Sequence, residues 1–332
     1  MIKHFKKLIN QSILNRTLIS IAKWIFYISL LCLIYYQVIR NNEFENIKVQ
    51  FIQQWAVSKD RQWIWMVLLL LPLNWYLEVC KWRTLLKVPH MPSTFKLFAA
   101  ICTGISFSLF MPNRIGEYGG RVWWLSPESR WNGVIATLLG NFAQQIILLI
   151  GGMTGLFWFL TKFALLDLWT SVALLVICIS LSFLLIFIYY NIDLTVILLK
   201  RSKKFRKWLR YIVSIRSYTN KVLTRALFYA FLRYMVYTLQ YYFMLKFYQI
   251  DVIWWQGMLS IMAIFLLQTS IPLPPITGLV VRGEVAVYVW NYFQAPSLAI
   301  IASTFTLWLI NLIIPGVLGI LLLSRLKLKK TK

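Results

Sequence analysis

The chain has 332 residues, of which 60% are hydrophobic and only 14% charged, with a mean hydropathy of +0.68. That much apolar surface exceeds what one soluble core can absorb, which excludes an ordinary globular domain and leaves a polytopic membrane protein. Lys and Arg number 35 against 10 Asp and Glu, for a net charge of +25; because the basic residues flank apolar runs, the implied partner is an anionic membrane surface and not nucleic acid.

In chain order, apolar runs are predicted at 18–39, 62–80, 92–111, 133–160, 168–190, 226–248, 252–273, 276–294 (the weakest) and 297–324. The first begins near Leu18 and is long enough to span, so it is expected to be a span rather than a cleaved leader. Between 200 and 225 lie ten Lys and Arg and no acid, alternating with Phe205, Trp208, Leu209, Tyr211 and Ile212 as in an interfacial amphipathic helix. Basic loops stay on the cytoplasmic side. The same rule puts Lys3 to Arg16, Lys81 to Lys87 and the tail Arg325 to Lys332 inside, so both termini are expected to be cytoplasmic.

Loop parity then restricts the path. If 62–80 and 168–190 both end inside, 133–160 travels outward, and everything between 92 and 131 starts and finishes in the cytoplasm. The second limb of that stretch is too polar to span, which predicts a re-entrant helical hairpin. By the same count, 252–296 starts and finishes outside as a second hairpin entering from the other face. The expected fold is therefore all-α: a single domain over 1–332 with about six full spans and two re-entrant hairpins, in half-repeats 18–160 and 168–324 of inverted topology. Glu117 lies 55 residues after the start of its half's second span and Glu284 lies 58 after the equivalent start.

Each hairpin carries a polar motif: Met111-Pro-Asn-Arg-Ile-Gly-Glu-Tyr-Gly-Gly-Arg121 and Ile271-Pro-Leu-Pro-Pro-Ile-Thr-Gly-Leu-Val-Val-Arg-Gly-Glu284. Pro and Gly interrupt the helix, and ionisable groups at membrane depth are costly enough to mark function. Backbone N–H groups at the breaks near Gly116 and Gly278, with Arg114, Arg121 and Arg282, suit a phosphate. Glu117 and Glu284 would hold those arginines in an empty site, meet a cationic group or accept a proton; the bland alternative is mutual neutralisation that merely stabilises the hairpins. Glu78 with Lys81 and Arg83 at the end of the second span reads first as a local i, i+3 ion pair. Asn141, Gln144 and Gln145 share one helix face, as do Arg233 and Gln240; interhelical hydrogen bonds explain them, and a polar pathway is the sharper reading. Cys32, Cys80, Cys102 and Cys178 lie in apolar runs without paired spacing, and His4 and His90 have no ligating neighbours, so neither a metal nor a cofactor is expected.

These motifs, with the Trp82-Arg83 end of the second span and the Leu232-Arg233-Tyr234 to Gln240 stretch, resemble the membrane domain of the lysylphosphatidylglycerol synthase/flippase family, including stand-alone bacterial members. The resemblance implies translocation of a lipid or lipid-linked anionic substrate across the bacterial inner membrane. It implies no enzyme activity here, because the soluble aminoacyl-transferase domain of bifunctional members is missing from this sequence. Alternating access, with membrane lipids bearing an anionic or phosphate headgroup as partners, is the expected mechanism. A membrane-embedded accessory, scaffold or enzyme of lipid or envelope-glycan synthesis is the competing class, and a second copy or a neighbouring biosynthetic enzyme is the protein partner to be expected.

Overall fold

Apolar runs that cannot hydrogen-bond to lipid must satisfy their backbone within themselves, and helices do so. The computed structural model describes residues 42–56, 59–109, 111, 115–164, 166–191, 218–270 and 279–324. Among them are helices α1 (Asn42–Ala56), α2 (Arg61–Leu85), α3 (Thr94–Ser108), α4 (Gly116–Val122), α5 (Arg130–Phe163), α6 (Leu168–Tyr190), α7 (Asn220–Phe247), α8 (Trp254–Thr269), α9 (Leu279–Trp290), α10 (Ser297–Trp308) and α11 (Ile314–Ser324). No strand occurs among the described residues, and the protein is an all-α membrane protein. The chain forms two compact units, Met1–Val49 and Gln50–Lys332; of the first, the described part is the opening of α1, and the remainder concerns the second. The expected first span at 18–39 and the basic stretch 200–217 lie outside the described residues.

Among the described residues, four helices are long and apolar enough to cross a membrane: α2, α5 with the turn before it, α6, and α10 running into α11. The run at 226–248 is the 28-residue α7, which starts earlier than expected, with Leu223 already buried, yet fails that apolar criterion. The physical reason is its position. Trp63 stacks on Phe243, Gln240 donates to the Val67 carbonyl, Arg233 donates to Asn74 and the Tyr218 hydroxyl donates to the Leu85 carbonyl. Those pairings run in opposite directions, so α7 lies antiparallel along all of α2, and its polar residues meet protein instead of lipid. By contrast α6 has a single fully buried residue, Tyr189; one stripe of it is half-buried, with Tyr189 against Phe142 of α5, and the remaining faces are exposed. Asp167 caps it, accepting from the Trp169 and Thr170 amides at 3.1 and 3.4 Å.

Two helical hairpins pack among the long helices. In the first, α4 folds back on α3: a Cβ on Gly120 would lie 2.7 Å from the Gly104 Cα, and one on Gly116 would collide with the Phe107 carbonyl. In the second, α9 folds back on α8, where Gln268 Nε2 donates to the Arg282 carbonyl at 3.1 Å. Each hairpin's longer arm meets a long helix of the other half across a Gly-x-x-Gly pair. Gly152 and Gly155 of α5 abut Met262, Leu266, Leu259 and Ala263 of α8, while Gly316 and Gly319 of α11 abut Cys102 and Ser106 of α3 and Leu109 just after it. Ser106 Oγ donates to the Gly316 carbonyl at 2.6 Å, locking the second contact. Small residues permit this approach where backbones must nearly touch.

Candidate functional site

A cavity of about 500 Å³ opens among α2, α3, α4, α5, α7, α8, α9 and α10. Its height follows from its lining: Asn74 lies 13 residues into the 25-residue α2, Arg233 lies 13 into the 28-residue α7, and Asn311 lies 14 into the 28-residue Ser297–Ser324 helix. All three sit near the middle of helices of spanning length. Two irregularities shape this zone. Pro72 lies inside α2 two residues before Asn74, and a π turn over Leu309–Ile313 precedes Pro315; neither proline has the N–H a regular helix needs.

An ion network holds the wall on the α2 side. Glu78 Oε1 accepts from Arg121 at 2.8 Å, while its Oε2 lies 2.7 Å from Lys81 Nζ and 3.1 Å from Arg233. Arg121 also reaches Glu117, its i, i+4 neighbour on α4, at 3.0 Å, and Asn141 donates to the same Glu117 oxygen at 3.4 Å. Lys81, Glu78, Arg121 and Glu117 have side chains no more than 4% exposed, whereas Arg233 is 20% exposed, so Arg233 is the member that faces the open space. The short α4 can insert two charges here because Gly120 lets its backbone touch α3, and the Arg121 guanidinium then lies 5.7 Å from the Trp82 ring. Charges so far from water persist only when paired and hydrogen-bonded. Among the described residues the network counts three cations against two carboxylates, one positive charge in excess, and Arg282 also lines the cavity.

Polar amides continue the wall. Asn74 bridges Arg233 Nε (2.9 Å) to Asn311 Oδ1 (3.0 Å), and Gln144 Oε1 accepts from Lys81 at 3.3 Å and from Arg233 at 3.4 Å. The Arg121 Nε and the Tyr234 hydroxyl, both buried at this cavity, have no hydrogen-bond partner among the described residues.

Of the residues singled out in the sequence, Glu78, Glu117, Arg121, Asn141, Gln144, Gln145, Arg233 and Arg282 all line this one cavity. The Glu78–Lys81 pair expected as local is present, but it is one arm of a larger network. Gln240 is fully buried between α7 and α2 and Gly116 is buried against Phe107; neither lines the cavity. Arg83 and Glu284 are exposed and do not line it. Arg114 and Gly278 lie outside the described residues. Sequence reasoning passed over Asn74, Asn311, Gln268 and the Tyr234, Tyr237 and Tyr241 ladder. The available signal was a lone Asn in each of two apolar stretches, Leu73-Asn74-Trp75 and Ile310-Asn311-Leu312, which has no reason to be there unless it is bonded across helices.

No curated protein and no solved structure matches the chain. The family profile of the lysylphosphatidylglycerol synthase TM region does, over residues 48–319, which takes in every described residue lining the cavity. With a multi-pass helical body and a buried polar cavity at the middle of its long helices, the chain belongs to the lysylphosphatidylglycerol synthase transmembrane-region family, membrane proteins of lipid metabolism or transport.

Proposed function

We propose that this protein flips a lipid or lipid-linked anionic molecule across the bacterial inner membrane by exposing the central cavity alternately to the two leaflets. The observation that carries the reading is a polar cavity with excess positive charge, at mid-height of spanning helices and walled by arms of both hairpins. A phosphate entering it would meet Arg233 first, the most exposed cation of the network, with Arg282 also on the lining. Guanidinium forks bind phosphate oxygens bidentately. At an effective dielectric of about 20, opposite charges 4 Å apart attract by about 4 kcal/mol, which helps offset the desolvation of the phosphate. Before it arrives, Glu78 occupies the same guanidinium and keeps the cations from repelling one another. The acyl or prenyl tails stay in lipid.

The reciprocal contacts support an inverted repeat: α5 of the first half grips α8 of the second through Gly152 and Gly155, and α11 of the second grips α3 of the first through Gly316 and Gly319. A two-fold axis in the membrane plane generates such an exchange, and each hairpin would then be re-entrant and screen the cavity from one side. Basic stretches at the termini and at 200–225 favour cytoplasmic ends.

Reconstitution tests the function. Proteoliposomes containing headgroup-proximal fluorescent phosphatidylglycerol are expected to show the inner-leaflet label becoming accessible to a membrane-impermeant quencher. Arg233→Ala and Arg282→Ala are expected to abolish this while remaining monodisperse and helical. Exchange no faster than in protein-free vesicles would overturn the proposal.

A further inference from the structure

We infer that the headgroup this cavity takes is a phosphate joined to an uncharged group rich in hydroxyls, a sugar or polyol, and not one bearing an ammonium. The inference rests on the proposal above that the ligand is a lipid, and adds what the lipid carries. Among the described residues, only Glu78 and Glu117 supply negative charge to the lining, and both already hold cations: Glu78 through both oxygens, Glu117 through Arg121. An ammonium would therefore be desolvated into a field with excess positive charge, without a carboxylate to receive it except by breaking the network.

What the rest of the lining offers instead is neutral hydrogen-bonding capacity. Six side-chain amides, from Asn74, Asn141, Gln144, Gln145, Gln268 and Asn311, surround the space. Five of them already bond within the wall, Asn74, Asn141, Gln144, Gln268 and Asn311, and each of these keeps a second N–H or lone pair, while Gln145 has no protein partner among the described residues; an amide can donate and accept at once, which matches vicinal hydroxyls that also do both. Trp75, Trp308, Tyr237 and Phe265 add flat apolar faces on which the C–H side of a sugar or cyclitol ring can rest. A volume of about 500 Å³ leaves room for a ring beside the phosphate.

Native mass spectrometry of the detergent-solubilised full chain, titrated with dihexanoyl phosphatidylinositol and with dihexanoyl phosphatidylglycerol esterified with lysine, tests this. The inositol lipid is expected to bind at least tenfold more tightly. Gln145→Glu, which puts a carboxylate on the wall, is expected to shift the preference at least threefold toward the lysyl lipid, a gain that misfolding cannot mimic. Equal or tighter binding of the lysyl lipid by the unaltered protein, or an unchanged preference in Gln145→Glu, overturns the inference. Inositol preference in detergent without leaflet exchange in vesicles would leave the headgroup assignment standing and sink the flipping proposal; leaflet exchange indifferent to headgroup would do the reverse.

Discussion

Glu78 touches three cations from three helices: Lys81 on its own α2, Arg121 on α4 and Arg233 on α7. Removing its charge leaves those cations facing one another where water is excluded, so Glu78→Ala is expected to lower stability by about 3–5 kcal/mol. Glu117 shares Arg121 with Glu78, and Glu117→Gln keeps a hydrogen-bonding side chain toward Asn141, so its loss is expected to be smaller. Thermal unfolding in one detergent compares the two variants directly, and equal losses would mean that the network is not organised around Glu78. The same residue illustrates the limit of local reading. An i, i+3 spacing to Lys81 is visible in the sequence, whereas the contacts to Arg121 and Arg233 span 43 and 155 positions and are invisible there.

At the scale of elements, the interlocking glycines separate packing from helix propensity. A methyl group on Gly155 would strike the Leu259 carbonyl and one on Gly319 the Cys102 carbonyl, both backbone atoms that cannot swing aside. Gly155→Ala and Gly319→Ala are each expected to cost about 1–3 kcal/mol by overpacking. Gly119→Ala, with nothing within 4 Å of the added carbon, is expected to be neutral or stabilising by up to about 1 kcal/mol, since Ala is the better helix former. Chemical unfolding of the three variants decides it, and a destabilised Gly119→Ala alongside unaffected Gly155→Ala would refute the packing account. The start of α6 carries a pH dependence. Hydrogen bonds from Thr170, joined by the Trp169 amide, hold Asp167 below the usual carboxylate range. Its capping contribution is therefore present above the unfolded-state value and is lost as pH falls through the lowered one. Amide exchange at Trp169 and Thr170 should accelerate over that acidic window and not above it; exchange that is flat with pH would show the cap contributes nothing.

For the whole molecule, the proposed inverted repeat makes a topological prediction. Single cysteines placed near Lys204 and Lys329 are expected to react with impermeant reagents only from the cytoplasmic side, those near Asp60 and Asp167 only from outside, and one near Asn113 only from the cytoplasm. Labelling near Asn113 from outside would break the parity on which the first hairpin's entry is argued. Helix α7 carries the lesson of scale here. A window of hydropathy judges a helix by what lipid would see, and α7, sandwiched against α2 with Gln240 and Tyr241 buried, is seen by protein. Its polar content is the mark of a central position.

Composition alone determined that this chain is helical and membrane-bound, because so apolar a backbone has to close its hydrogen bonds within each segment. Element positions followed from the runs themselves: 168–190 coincides with α6, 297–324 with α10 through α11, and 133–160 falls inside α5. The motif residues Glu117, Arg121 and Arg282 stood out because charge beside a helix break in an apolar run has few bland explanations. Which polar groups meet was decided only by tertiary packing. Asn74 and Asn311 are 237 residues apart and join because Asn74 faces α7 and the Ser297–Ser324 helix at the same height. Gln240 and Gln144 have the same chemistry in the sequence, yet one is sealed against the Val67 carbonyl and the other faces the cavity. A one-dimensional pattern specifies the face of a helix on which a side chain sits, but what lies opposite that face depends on where the other helices stop, cross and touch.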